Sequence, residues 1–225
     1  MKKSVIRICI TVASVLVFAM LAFFYFPVLL PGNYENAECI GYIAVPKGYE
    51  RVCGNDKEYT EFLRSIPLKP KGSRVMLYGS NETARFGDRN KYAVIDLPLL
   101  SNAEQCTDAC MRLRAEYLFR HGKYAKIHFA NNAGLDFFYL GGRNRKAFES
   151  YMKRVYGFAN TASLTKELPT RALKDVQLGD ILVYPARKGH KYGHAIFVID
   201  VVQNKKGEKM VMLAEGNTPA CDIHL

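Results

Sequence analysis

The hydrophobic residues are distributed along this 225-residue chain in two different ways. Residues 8–30 are apolar almost without interruption. Beyond residue 39, apolar positions recur at helical or strand spacing between polar turns. The first region predicts one hydrophobic helix, and the second is long enough for one domain with a core of its own.

The 8–30 segment has the length of a membrane span. It approaches the roughly 20 residues that cross the hydrocarbon core and exceeds the roughly 7–15 apolar residues of a cleaved signal peptide. Three basic residues precede it, and Glu35 and Glu38 follow it. By the positive-inside rule, this predicts a cytoplasmic tail at 1–7, a transmembrane signal anchor at 8–30 and an exported domain at 39–225. An unusually long, cleaved signal peptide is the alternative, and it exports the domain as well.

Three later segments have the periodicity of amphipathic helices. One covers residues 57–66 and stops before Pro67, and another covers residues 145–158. Between them, residues 101–104 have the spacing of a capping box, which predicts a helix from there to Gly122.

Short apolar runs bounded by turn residues predict strands, and the longest lie in the C-terminal third. Helices that come early and antiparallel strands that come late define an α+β fold, not the regular alternation of a doubly wound sheet. The last two strands are joined by a polar turn, which indicates a hairpin. The predicted strands are 39–45, 74–78, 92–97, 126–129, 137–140, 180–184, 194–202 and 210–214.

The predicted domain is basic, and the chain has a net charge of +11. The lysines and arginines are scattered, which is typical of a solvated surface and also favours an anionic neighbour such as the lipid bilayer, peptidoglycan or another acidic envelope component. No nucleic-acid-binding motif accompanies the charge, so nucleic acid is not an expected partner.

One cysteine and one histidine stand where nucleophilic catalysis needs them. Cys106 lies in the first turns of the predicted helix, and a helix N-terminus favours the thiolate. His194 opens a predicted strand and can take the thiol proton. Glu215 and Asn217 follow the next strand and are candidates for orienting the imidazole. These four are the predicted catalytic residues.

A structural interpretation of the nucleophile is open as well. Cys106 shares an apolar stripe with Cys110, Leu113 and Tyr117, and buried cysteine is a common core residue. In that case the thiol fills space and reacts with nothing.

Two arginines of the same helix, Arg112 and Arg114, are candidates for binding an acidic group of a substrate, and ordinary salt-bridged or solvated arginines are the alternative. His190 and His194 are four residues apart, but neighbouring glycines disfavour a helix there, so no metal site is predicted. No phosphate-binding glycine loop follows a predicted strand, so no cofactor is expected.

The order of these features resembles exported cysteine amidases and peptidases of the CHAP and NlpC types. The features are a helix-borne cysteine, the strand strings GDILVYP and GHAIFVID, and a polar residue after the next strand. This resemblance covers the later part of the chain and rests on short strings. It implies a papain-like or NlpC-like fold and cleavage of peptidoglycan peptides.

A more specific resemblance runs through the whole predicted exported region. Its strings, in order, are RSIPLKPKGS, EQCTDACMRLRAEYLF, KIHF, TASLTKEL, GHAIFVIDV and PACDIHL. Together they resemble a bacterial family known as domain of unknown function 4846, which implies an exported or envelope-bound protein and no particular activity. The match supports Cys106, both arginines, His194 and the string 222–224 as motif positions, whereas 215–217 lies where members vary.

Two functional hypotheses follow from the sequence. The first is a membrane-anchored envelope cysteine hydrolase, with Cys106 as nucleophile, His194 as base, and Glu215 or Asn217 as orienting group. The second is a non-enzymatic envelope module that binds a partner or a glycan through the same fold.

Overall fold

The computed structural model describes residues 37–184, 186 and 193–225. The predicted cytoplasmic tail and signal anchor therefore lie outside the described residues. Among the helices that are described, none is both long enough and apolar enough to cross a bilayer.

The central helix of the domain is buried on nearly every side and packs against two other helices and the longest strand. It is α3 in a series of helices that runs α1 (Lys57–Arg64), α2 (Arg85–Asn90), α3 (Cys106–Arg120), α4 (Arg145–Phe158) and α5 (Thr161–Glu167). The contacts of α3 are with α1, α4 and the strand β5, which is defined below.

The main sheet is antiparallel and is organised around one long strand. The strands are β1 (Tyr49–Arg51), β2 (His128–Ala130), β3 (Asp136–Phe138), β4 (Ile181–Tyr184), β5 (His194–Asn204) and β6 (Lys209–Ala214). Strand β5 pairs with β1, β4 and β6, while β2 and β3 form a separate two-stranded hairpin. The sheet therefore presents β5 to α3.

Local sequence explains where the helices begin. Asp56 caps α1 by accepting a hydrogen bond from the Tyr59 N–H at 3.0 Å. Asn144 caps α4 in the same way, with the Ala147 N–H at 3.1 Å. Such side chains satisfy N–H groups that have no partner within the helix.

The core lies between α3, α4 and β5. Its closely packed side chains include Met111, Leu113, Phe148, Met152 and Phe197, none of which is more than 1% exposed. Burial of large apolar side chains of this kind provides most of the stabilisation of a domain. The rigid core in turn fixes the start of α3 relative to the start of β5.

The structure confirms the α+β class, with helices early and antiparallel strands late. Helices 57–66 and 145–158 are present with nearly the predicted bounds. The C-terminal strands and their hairpin are present too, and β5 extends to Asn204. The two short strands of the β2–β3 hairpin also lie within one or two residues of the predicted segments.

Several predicted elements were wrong. Segment 39–45 contains a short 3-10 helix, Ile40–Tyr42, and not a strand. Segments 74–78 and 92–97 make isolated bridges with the segment 219–225, because that segment runs as an extended chain beside both of them.

The helix predicted to begin at Ser101 begins instead at Cys106. The Glu104 carboxylate accepts a hydrogen bond from the Leu100 N–H at 2.8 Å, and Asp108 accepts one from the Gln105 N–H at 3.0 Å. The cap that operates is therefore that of Gln105 and Asp108, and it makes Cys106 the first residue of α3.

Candidate active site

The Cys106 side chain lies at the N-terminal end of α3, against the start of β5. The residue is 8% exposed. Its thiol interacts with the His194 ring and the backbone N–H of Ala195, and its Sγ lies 3.9 Å from the Thr107 hydroxyl oxygen. The positive end of the helix dipole adds to these donors, and all of them favour a negative charge on sulfur.

His194 lies between the thiol and a carboxylate. Its Nε2 is 2.9 Å from Oε2 of Glu215, which leaves Nδ1 for Cys106. Glu215 follows directly after β6, and the pairing of Phe197 with Ala214 brings the end of β6 beside the beginning of β5. The register of the β5–β6 hairpin therefore brings the Glu215 carboxylate into contact with the His194 imidazole.

The electrostatics of the three groups reinforce one another. Burial raises the pKa of the Cys106 thiol, but the hydrogen bonds from His194 and the Ala195 N–H outweigh burial and hold this pKa below its usual value. The hydrogen bonds to Cys106 and Glu215 raise the pKa of His194 to about 9. Hydrogen bonds from His194 and then His224 lower the pKa of Glu215 to about 2. These shifts favour a thiolate–imidazolium pair beside an ionised carboxylate.

A second histidine, His224, binds the other side of the same carboxylate. Its Nε2 is 3.5 Å from Oε1 of Glu215, and its Nδ1 is 3.0 Å from the carbonyl oxygen of Asp222. Backbone hydrogen bonds between Glu215 and His224 join the two segments. Burial lowers the pKa of His224, but hydrogen bonds to Cys221 and Glu215 outweigh burial and raise it to about 9.

Helix α2 packs on the His224 ring and covers it from solvent. A Cβ atom at Gly87 would lie 2.8 Å and 2.9 Å from two atoms of the His224 ring. Such distances are far below van der Waals contact, so glycine is what lets α2 pack directly on the imidazole. His224 is consequently only 2% exposed.

A cavity of about 540 Å³ opens at Cys106, which is ample for a small substrate. It lies between the start of α3, the start of α5 and the residues that precede β5. Polar side chains line much of it, among them Gln105, Thr107, Asp108, Asn160 and Thr161. Cys106 therefore lines a space that a small substrate can fill.

Two of these lining residues have electrostatic features of their own. Gln105 accepts a hydrogen bond from the Thr218 hydroxyl at 2.9 Å through Oε1. Asp108 is 7% exposed, its Oδ1 has no hydrogen-bond partner within the described part of the chain, and burial raises its pKa to about 8. A carboxyl group in this state can donate as well as accept a hydrogen bond.

The structure brings three of the four predicted catalytic residues together, namely Cys106, His194 and Glu215. Asn217 lies on the other side of the carboxylate, where its Nδ2 is 3.5 Å from Nε2 of His224. Glu215 is thus the candidate that touches the imidazole of His194. Asn217 supports His224 instead.

The two predicted substrate-binding arginines occupy different environments. Arg112 is 1% exposed and pairs with Glu104 at 3.3 Å and with Glu116 at 2.7 Å. Arg114 is exposed, and its guanidinium lies 4.6 Å from the centroid of the Tyr59 ring. Arg112 belongs to a buried ion-pair network and is not among the described residues that line the cavity at Cys106.

Sequence reasoning missed His224, Gln105 and Asp108 as members of the site. His224 and Asp222 were motif positions without a predicted role, and the structure buries both. The available signal was their presence in the string PACDIHL, which a lone pattern search cannot distinguish from a structural motif. Gln105 directly precedes the nucleophile, but its contact with Thr218 depends on the tertiary fold.

One group of side chains in the described residues could hold a metal ion. One nitrogen of His128 and carboxylate oxygens of Asp136 and Glu167 all lie within 4.8 Å of one another. These residues join the β2–β3 hairpin to the end of α5 and do not line the cavity at Cys106. No metal site was expected from the sequence, and these three residues were not among the candidate site residues.

Fold and site together define an α+β protein in which a helix-borne cysteine, a strand-borne histidine and a glutamate interact in a row. The chain belongs to the family described as domain of unknown function (4846), whose family model matches residues 41–141 and 139–225. No curated protein matches the chain, and no solved structure matches it either.

Proposed function

We propose that this protein is a cysteine hydrolase of the amidase or peptidase class. The observation that carries the proposal is the arrangement of Cys106, the interacting His194 ring and Glu215, whose Oε2 is 2.9 Å from Nε2 of His194, beside a cavity that Cys106 lines. A buried structural cysteine needs neither an imidazole nor a solvent-filled space beside it. A nucleophilic cysteine needs both.

The lowered pKa of Cys106 supports attack by the thiolate. The sulfur adds to the carbonyl carbon of an amide, a C–S bond forms, and the π electrons of the carbonyl move to its oxygen. As the C–N bond breaks, the His194 imidazolium gives its proton to the departing nitrogen. A thioester on Cys106 and a free amine result.

Water completes the cycle. Neutral His194 accepts a proton from the water molecule as its oxygen attacks the thioester carbon. The C–S bond then breaks, a carboxylic acid product leaves, and the thiolate–imidazolium pair is restored. Glu215 keeps the ring oriented and stabilises its charge throughout, because it accepts the Nε2–H.

The oxygen that becomes negative in the tetrahedral intermediate needs donors next to the sulfur. Within the described residues, the Cys106 N–H at the start of α3 donates to no other group. We assign it as one donor, since an open helix N-terminus attracts negative charge. The Gln105 side chain is the second, because Thr218 holds its Oε1 and leaves the amide NH₂ as the donor.

The place of action in this proposal is the bacterial envelope. The apolar segment 8–30 and the charges around it support a domain tethered outside the cytoplasm, and the resemblance in order to NlpC-type enzymes supports a peptide of the cell wall as substrate. The basic net charge favours such an acidic polymer.

The test compares the reactivity of individual cysteines in the full 225-residue chain. Iodoacetamide is added at pH 6, and the labelling rate of each cysteine is followed by peptide mass spectrometry. Ordinary thiols have a pKa near 8.5 and are less than about 1% ionised at pH 6. We expect Cys106 to react at least about tenfold faster than exposed Cys53 and buried Cys110, and His194→Ala to abolish this advantage.

Two results would contradict the proposal. One is labelling of Cys106 no faster than that of Cys53, and the other is fast labelling that His194→Ala leaves unchanged. A second assay supplies peptidoglycan stem peptides and measures new amino groups, with Cys106→Ala as the control. Labelling as expected without any cleavage would favour a binding module for these peptides over a peptidase.

A further inference from the structure

A second cavity adjoins the one that contains Cys106. It has a volume of about 530 Å³ and lies between α3, the end of α5 and strand β4. Thr165 of α5 lines both cavities, so the two lie next to each other at this residue. Their proximity suits a substrate longer than a single residue.

The walls of this second cavity are largely apolar. Leu164 and Phe197 are buried at its base, while Leu168 and Leu173 are 42% and 58% exposed at its rim. Exposed leucines that line a concave surface indicate a place for an apolar partner group. An extended peptide presents such groups at alternate positions.

In the described lining of this cavity, Arg114 is the arginine that makes no ion pair within 4 Å, although the Asp56 carboxylate is close enough to interact with its charge. The other arginine there, Arg171, is paired with Asp180 at 3.3 Å. No carboxylate lies within 4 Å of the Arg114 guanidinium among the described residues. The neighbouring Asp56 carboxylate already accepts hydrogen bonds from the N–H of Tyr59 and the hydroxyl of Tyr117.

The Arg114 side chain is also held in place. Its guanidinium carbon lies 4.6 Å from the Tyr59 ring centroid and 5.2 Å from that of Tyr117. Stacking on two rings restricts the side chain without neutralising it, and a restricted arginine loses less conformational entropy on binding an anion. The planar guanidinium suits a carboxylate, to which it can donate two parallel hydrogen bonds.

We propose that the second cavity is the substrate-binding extension of the active site, and that Arg114 selects peptides with a carboxylate side chain or terminus. The inference rests on the proposed hydrolase function and names its substrate class. Arg114 is eight residues after Cys106 on the same helix, which corresponds to about 12 Å along the helix axis. At about 3.3 Å per residue of extended chain, the carboxylate lies roughly three or four residues from the cleaved amide.

The test uses mixtures of internally quenched octapeptides in which one position is fixed as Glu or as the isosteric Gln. The full chain is compared with Arg114→Gln and with Arg120→Gln. Arg120 is the matched control, because it is a half-exposed arginine of α3 that lies over the ring of Phe62 and outside the cavity. The measured quantity is the ratio of kcat/KM for the Glu mixture to that for the Gln mixture.

We expect the wild type to prefer Glu about fivefold to tenfold at a position three or four residues from the cleaved bond. Arg114→Gln should reduce this ratio to about one, and Arg120→Gln should leave it unchanged. Arg114→Glu should reverse the preference toward a mixture with Lys at that position. A ratio that Arg114→Gln does not alter would overturn the inference.

Binding separates this inference from the proposed catalysis. Fluorescein-labelled Glu and Gln mixtures are titrated onto the Cys106→Ala chain, and anisotropy is measured. Tighter binding of the Glu mixture that is lost in Cys106→Ala/Arg114→Gln would support the subsite even if wild type cleaves nothing. Equal binding of the two mixtures, with equal cleavage, would exclude a carboxylate-selective site at Arg114.

Discussion

His224 lies 3.5 Å from one oxygen of Glu215, while the other oxygen of this carboxylate binds His194 at 2.9 Å. One carboxylate thus faces two histidines, and both histidines have pKa values raised to about 9. The site is an alternating row of negative and positive groups that begins at Cys106. Such an arrangement couples the stability of the domain to the charge of the site.

Replacing His224 by Gln should weaken the pH dependence of stability. The folded-state pKa of His224, about 9, lies above its ordinary value of 6.5. Its protonation therefore stabilises the fold fully below about pH 6.5, and this stabilisation, at most about 3 kcal/mol, is lost as the pH rises to about 9. Urea unfolding from pH 6 to pH 10 should show a shallower decline for His224→Gln than for wild type. Parallel curves would contradict the assignment.

Replacing Gly87 by Ala should disturb His224 from outside the site. The new methyl group would meet the imidazole at 2.8–2.9 Å, so α2 must move or the ring must turn. We expect a loss of about 1–3 kcal/mol in the free energy of unfolding. Gly157→Ala is the matched control, because it adds the same methyl group to α4 with no atom within 4 Å. That change should stabilise the protein by about 0.5–1 kcal/mol. If both substitutions change the free energy of unfolding equally, Gly87 is not closely packed against His224.

Replacing Glu215 by Gln should narrow the pH range in which Cys106 is reactive. The Glu215 hydrogen bond helps to raise the pKa of His194 to about 9, so its loss should lower this pKa. A less readily protonated His194 also favours the thiolate less, which should raise the pKa of Cys106. The rate of iodoacetamide labelling between pH 5 and pH 10 reports both changes. Glu82→Gln, at an exposed position, should leave the profile unchanged. If Glu215→Gln has the same pH dependence of Cys106 labelling as the wild type, the Glu215 carboxylate does not influence the reactivity of Cys106.

A separate prediction concerns the ion pairs of a buried aspartate in β5, the strand that begins at His194. Asp200 of β5 is 4% exposed and binds Arg51 at 2.9 Å and Arg64 at 2.8 Å. Asp200→Asn keeps the shape but leaves two partly buried guanidinium groups without a countercharge, which should cost about 3 kcal/mol of unfolding free energy. Asp175→Asn, an exposed change outside this network, should cost less than about 0.5 kcal/mol by the same urea titration. Similar losses in both variants would show that the network contributes little.

Much of the fold could be predicted from the sequence because strong local signals agree with the tertiary structure. Helix α4 has a capping Asn144 and a regular apolar stripe, and its bounds were correct. The C-terminal strands are long and apolar, and a polar turn joins them. The start of α3 was misplaced because 101–104 and 105–108 both have capping-box spacing, and only packing decides that Glu104 turns inward to Arg112.

The site was only partly predictable for a similar reason. Cys106 and His194 are visible as residue types at the ends of predicted elements. The choice between Glu215 and Asn217 depends on the β5–β6 register, and the structure favours Glu215 by contact with the imidazole. His224 could not be placed because its partners Val94, Glu215 and Gly87 come from distant parts of the chain, and the segment of Val94 makes isolated bridges instead of the predicted strand.

In the proposed function, the nucleophile and its activating groups lie far apart along the chain. A newly made polypeptide carries Cys106 before His194 and Glu215 exist, so on this proposal the thiol stays an ordinary one until β5 and β6 dock on α3. Activation of the sulfur is then an outcome of tertiary assembly, and the reactivity of Cys106 reports whether these strands have docked.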